Sequence, residues 1–234
     1  MRRFALVFLP LLLVALPAAA ERGNGQRVSE SRNVTGFTRI QLSAPMDIVV
    51  RPGKFALTLN TDSNVAPLVR TEVQGDTLRI SLEAHRLDLH GKHVIQISMP
   101  EFRGVQIQGS GDADIAGFKQ SGKVQLAVAG SGDVTYAGTS DGLEITVEGS
   151  GNVTLPEGTA GALHVNIDGS GDLRAAAFRA KNASVSVNGS GDADLQVTGG
   201  ALQLAVNGSG DIRWSGDASA VSSVAHGSGS IRKR

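Results

Sequence analysis

The chain has 234 residues, no cysteine, and 22 basic against 22 acidic side chains. Balanced charge offers nothing to attract nucleic acid or an anionic membrane surface. Without cysteine, neither disulfides nor a lipid-modified N-terminal cysteine is available.

The first twenty residues read as a secretory signal peptide. Arg2 and Arg3 form a basic start, Phe4 to Leu16 an apolar run interrupted by Pro10, and Ala18-Ala19-Ala20 a small-residue cleavage pattern. The run is too short for a convincing membrane span. Export to the periplasm or the exterior is expected, with no span after cleavage. Losing two arginines leaves 20 basic against 22 acidic residues. Residues 21–32 are read as a flexible lead-in, and the fold is expected over 33–234.

Residues 33–104 are the irregular part, read as first coils plus an end cap. "ALTLN" at 56–60, "TLRISLEA" at 77–84 and "VIQISMP" at 94–100 alternate apolar and polar residues as half-buried strands do. Longer links such as 61–76 separate them. "PEFRG" at 100–104 is a possible boundary to a separate small β domain. Between two of these strands, His85, Asp88, His90 and His93 have the residue types of a zinc site. His85 and His90 have opposite strand phase, however, and the spacing matches no standard zinc pattern, so a solvated loop is the expectation.

From Val105 to the end the chain repeats. Seven Gly-Ser-Gly cores start at Gly109, Gly130, Gly149, Gly169, Gly189, Gly208 and Gly227, spaced by 21, 19, 20, 20, 19 and 19 residues. A flexible linker has no reason to keep such a period, whereas stacked coils do. Counting from the first glycine, positions −4 and −2 are apolar (Val185 and Val187, for example), as are +4 and +6 (Ala193 and Leu195). This is strand periodicity on both sides of the core.

The second glycines are Gly111, Gly132, Gly151, Gly171, Gly191, Gly210 and Gly229. Both glycines share the apolar phase, so they are expected to face inward or to sit at a bend closed to side chains. Serine at +1 and aspartate at +3 should face solvent. One period is therefore two strands meeting at a glycine corner, closed by a short turn-rich connection. The predicted fold is an all-β, single-stranded parallel β-solenoid, right-handed by the usual crossover preference, with coils of about 20 residues. An isolated coil cannot offset its ordering entropy, so stability requires the stack.

Asp112, Asp133, Asp172, Asp192 and Asp211 form one column, interrupted by Asn152 and ended by Ser230. At a strand spacing of about 4.8 Å, adjacent like charges repel by roughly 0.9 kcal/mol in bulk water. Bridging calcium would relieve this, although calcium-binding solenoids use a nine-residue unit of different phase. Solvated turn residues explain the column without a metal, and no cofactor is expected. Arg174 and Arg213 beside Asp114 and Asp194 suggest a polysaccharide-cleaving enzyme, but the short connections build no deep cleft and no nucleophile–base pair is identifiable. Trp214 and Tyr136 fall on the inward phase and are read as core rather than sugar platforms.

The "GSGD" cores after "VNI", "VSV" or "LAV" strands resemble the bacterial head GIN domain family, labelled auto-transporter adhesins. So do the ending "NGSGDIRWSG…VAHGSGSIRKR" and the opening "FTRIQLSAPMDIVVRPGKFALTLN". The similarity runs from about Asn33 to the end. It implies an exported solenoid and transfers no catalytic residue. The sequence contains neither the serial amphipathic strands of a translocator barrel nor the sustained heptads of a stalk. The expected function is non-enzymatic, adhesin-like contact with an envelope protein or glycan through polar outer faces. A polysaccharide-active enzyme and a self-associating structural protein are the alternatives, the latter because open solenoid ends are unpaired strand edges.

Overall fold

The structure, a computed structural model, describes residues 21–83, 87–89 and 91–234. The proposed signal peptide lies outside them. Apart from a single 3-10 turn at Ala66–Leu68, the regular elements are strands. Among the described residues, no helix is long and apolar enough to cross a membrane.

Repeats wind into parallel coils about 20 residues apart. The strand before each glycine corner joins a first wall, where Gly104–Gly109, Lys123–Gly130, residues 142–149, 162–169 and 182–189, Ala201–Gly208 and Ala220–Gly227 stack in parallel register. The strand after the corner joins a second wall, seen in the pairings Ala113↔Val134, Val153↔Leu173 and Ala193↔Ile212.

The connection is more ordered than its turn-rich composition implies. Thr139↔Thr159, Ala160↔Ala180 and Ala180↔Val197 pair in parallel, making a narrow third wall. Phe118, Ala160, Phe178, Ala180 and Val197 on it are buried. Small and aromatic inward residues let this wall close the coil without a longer strand.

Alternation sets what fills the coil. Val185, Val187, Leu195 and their equivalents in neighbouring coils point inward, and one contiguous apolar cluster runs from Phe37 to Trp214. Phe102 in "PEFRG" belongs to it, with ring centroids 5.3 Å from Phe118 and 6.2 Å from Tyr136. No break in the core occurs there.

The two glycines of each corner share one task, and the first has a second. Gly189 has φ +137°, a conformation an L side chain rarely adopts. Gly191 is buried, and a Cβ on it would lie 2.0 Å from the Gly171 carbonyl of the coil below. The first glycine makes the bend, and both let two backbones touch, since a Cβ on Gly189 would lie 2.1 Å from the Gly169 carbonyl. The intervening serines are exposed.

In the irregular part, rung order departs from chain order. Strand Arg39–Ser43 lies between Thr77–Leu82 and Gly104–Gly109 on the first wall. Asp47–Pro52 lies between Val94–Met99 and Ala113–Lys119 on the second. After forming one rung the chain runs to the end of the stack, builds the outer rung, and returns past the earlier one. The end cap is antiparallel: Val69–Gln74 pairs with Thr77–Leu82, and Ala56–Asp62 with Val94–Met99.

Residues 27–32, expected to be flexible, instead form a strand antiparallel to Ala56–Asp62. Arg27 anchors it by an ion pair of 3.3 Å to Asp62, whose side chain is buried. The segment covers an edge that would otherwise leave main-chain groups unpaired.

Candidate functional site

The aspartate column is a hydrogen-bond ladder. The main-chain N–H of Asp133 donates to Oδ1 of Asp112 at 2.8 Å, that of Asn152 to Asp133 at 2.7 Å, and that of Asp172 to Oδ1 of Asn152 at 3.0 Å. Asp192 donates to Asp172 at 3.0 Å, Asp211 to Asp192 at 2.8 Å and Ser230 to Asp211 at 2.9 Å. The reason is local. The serine N–H at a corner, such as Ser190, donates to the glycine carbonyl one coil earlier (Gly169), whereas Leu173 just past a corner donates to Asp192 one coil later. Where the direction reverses, the +3 N–H needs an acceptor, and the aspartate of the preceding coil supplies it.

The same ladder starts at Asp47, whose Oδ1 accepts from the N–H of Asp112 at 3.3 Å. "SAPMD" thus stands where later coils have "GSGD", and apolar Ile48 and Val50 one and three residues after Asp47, as Ala193 and Leu195 follow Asp192, were its sequence signal. The second carboxylate oxygens meet arginine in two coils, Arg174 with Asp172 at 3.0 Å and Arg213 with Asp211 at 3.4 Å. Asp211 is held below the usual carboxylate range, first by the Ser230 hydroxyl and then by the Ser230 N–H. Among the described residues, no three His, Asp or Glu side chains gather as a metal ion would require.

Of the histidine cluster, His85 and His90 lie outside the described residues, as does the side chain of Asp88. His93 is buried, with Nδ1 2.6 Å from the Thr61 hydroxyl. Tyr136 and Trp214 are buried as their phase predicted. Burial pushes the Tyr136 phenol up to about 12. Lys233 Nζ covers Trp214 at 4.9 Å from the ring centroid.

The first wall has the most extended accessible chemistry. Its outward residues, such as Gln106, Gln125, Glu144, His164, Asp168 and Gln203, are polar and exposed along the stack. Between Glu144 and Thr77 the wall is concave. One depression of about 300 Å³ is bordered by Arg39, Gln41, Thr77, Gly104, Gln106 and Gln125, and a second of about 360 Å³ by Gln41, Arg70, Glu72, Gln74 and Arg79. They meet at Gln41.

Gly104 sets the depth of the first. It occupies the outward column between Arg39 and Gln125 but has no side chain, and a Cβ there would stand 2.6 Å from the Gln125 carbonyl. Arg39 Nη1 donates across the gap to Gln125 Oε1 at 2.6 Å. Sequence reading missed this trough because Arg79 and Gln106 align with Gln41 only through the out-of-order rungs. The nearest signal was the glycine itself, standing at a −5 position where other coils have polar side chains.

The family model described as "Putative auto-transporter adhesin, head GIN domain" matches residues 36–218. No curated protein sequence matches the chain. A solved "putative adhesin" from Bacteroides fragilis NCTC 9343 superposes with TM-score 0.84 at 24% identity, covering 91% of this chain and 99% of the other. A "putative lipid binding protein" from Parabacteroides distasonis ATCC 8503 gives 0.73 at 24%, covering 92% and 100%. A "putative adhesin" from Parabacteroides merdae ATCC 43184 gives 0.71 at 20%, covering 93% and 100%. At these identities the likeness concerns the fold.

Proposed function

We propose that this chain, which belongs to the head GIN domain family, is an exported, non-enzymatic β-solenoid of adhesin type. It contacts an envelope or extracellular partner through its polar outer faces. The observation that carries this reading is the first wall, a regularly stacked, exposed polar surface that ends in a concave trough. Exposed large apolar side chains are confined to Val221 and Val224 among the described residues, so the wall suits many weak polar contacts better than an obligate apolar interface.

The absence of catalysis in this reading is supported by how the carboxylates are used: Asp114 pairs with Arg51 at 3.0 Å and Asp194 with Arg234 at 2.8 Å, and the corner aspartates are structural. Their Oδ1 atoms accept main-chain N–H groups in a regular ladder, and a structural acceptor is poorly placed to act as a general base. Export is supported by the basic start, apolar run and Ala18-Ala19-Ala20 pattern.

The test is incubation of purified residues 21–234 with intact bacterial cells and isolated envelope polysaccharide, measuring retention and product release together. Retention without new reducing ends is expected. Catalytic turnover would replace this reading with the enzymatic one. A second reading, self-association, is favoured by strand Ala220–Gly227, the outermost of its wall in this chain, where Val221 and Val224 are each about half exposed. Concentration-dependent light scattering that Val221→Ser and Val224→Ser abolish would support it.

A further inference from the structure

The trough on the first wall has a composition that selects a ligand class. Its guanidinium and carboxylate groups are largely matched. Arg39 pairs with Asp76 at 3.5 Å, Arg70 with Glu83 at 2.8 Å, and Glu144 accepts from Gln125 at 2.9 Å. Arg79 and Glu72 face each other across the antiparallel hairpin, and no hydrogen bond or ion pair engages the Arg79 side chain among the described residues. Gln74 and Gln106 likewise retain free amides on exposed side chains. Each amide offers donors and an acceptor, the guanidinium offers donors, and the carboxylate offers acceptors. This set complements hydroxyl groups, which donate and accept at the same atom.

We propose that the trough binds a neutral, polyhydroxylated polymer segment, an oligosaccharide stretch without carboxylate or sulfate. It lies across the strands with hydroxyls on Arg79, Gln41 and Gln106. The inference rests on the adhesin-type reading and names its ligand chemistry. Facing Arg79 and Glu72 give no net charge to favour a polyanion, because the carboxylate repels what the guanidinium attracts. The exposed large apolar residues, Val221 and Val224, lie at the other end of the stack, which disfavours a lipid tail or an amphipathic helix in the trough. Register places Arg79, Gln41 and Gln106 side by side on successive strands, about 4.8 Å apart. That interval is near the length of one sugar unit, so successive units meet successive strands.

The experiment is isothermal titration of residues 21–234 with purified neutral oligosaccharides (cello-, xylo-, malto- and manno-oligomers) and with an oligogalacturonate. The proteins compared are the unmodified chain, an Arg79→Ala/Gln106→Ala double variant, and an Arg179→Ala control on the third wall. The side chains of Arg79 and Gln106 are exposed and, among the described residues, make no hydrogen bond or ion pair, so the double variant should melt like the unmodified chain. Binding of at least one neutral oligomer is expected, weakened tenfold or more in the double variant and unchanged in the control.

Equal binding by the unmodified chain and the double variant would remove the trough as the site while leaving the adhesin reading intact. Preference for the oligogalacturonate would overturn the neutral chemistry. Retention on cells with no saccharide binding would overturn this inference alone. Loss of retention as well would overturn both.

Discussion

Replacing Asp192 separates a hydrogen-bond ladder from a charge or metal site. Asp192 Oδ1 accepts the Asp211 main-chain N–H at 2.8 Å, and among the described residues no side chain binds the carboxylate. In Asp192→Ala that half-buried N–H loses a charged acceptor, at a cost of about 1.5–3 kcal/mol. Removing one charge from the column also relieves repulsion from its neighbours, by under about 1 kcal/mol each in water and less in salt. The net expectation is destabilisation by about 1–2 kcal/mol, which at typical slopes lowers the urea midpoint by about 0.5 M.

Asp192→Asn keeps the acceptor and removes the charge, as Asn152 does naturally in accepting the Asp172 N–H at 3.0 Å. It should fall within about 0.5 kcal/mol of the unmodified chain. The assay is urea unfolding followed by circular dichroism, in chelator and in calcium. Asp192→Asn as damaging as Asp192→Ala, or a calcium-dependent rise lost in both, would refute the ladder and restore the metal.

Three further outcomes follow from the same geometry. Gly191→Ala should cost about 3 kcal/mol, the upper part of the range for overpacking, because its Cβ would meet a backbone carbonyl at 2.0 Å rather than a movable side chain; a neutral effect in thermal unfolding would contradict the close approach of coils. Asp211 is depressed by Ser230, so the stability it contributes is present above its unfolded value of about 3.9 and is lost as pH falls through the lower folded value. In Ser230→Ala the carboxyl should titrate higher by NMR and acid unfolding should begin at higher pH. Tyr136 is the chain's one tyrosine, so the ultraviolet phenolate band reports it alone. It should emerge near pH 12 and coincide with unfolding, whereas titration near 10 in a folded chain would place the ring in water.

The regular coils were legible because three signals agreed. Period-two alternation gave the faces, the spacing gave the coil length, and glycine phase gave the corner. The task of Asp192 was hidden because its partner is the main chain of a residue 19 positions away, and composition describes side chains only. The third wall was hidden for another reason. Its contribution per coil is two or three residues, too few for a period to register, and small inward residues such as Ala160 and Ala180 look like turn material. In the irregular part, local alternation marked Ala56–Asp62, Thr77–Leu82 and Val94–Met99, left Arg39–Ser43, Asp47–Pro52 and Val69–Gln74 unmarked, the last inside a stretch read as a link, and carried no information about partners. Nothing local in "TLRISL" says that it pairs with "RIQLS" 38 residues earlier, and the trough depends on that pairing.

Rung order is therefore what places the trough, and engineered disulfides read it directly, since the chain has no cysteine of its own. Arg79 is registered against Gln41, and Gln41 against Gln106. Arg79→Cys/Gln41→Cys and Gln41→Cys/Gln106→Cys should each cross-link on oxidation, while Arg79→Cys/Gln106→Cys, about 10 Å apart across two strand spacings, should not. Ready cross-linking of the last pair, with failure of the first two, would put residues 77–82 directly beside 104–109 and dismantle the trough.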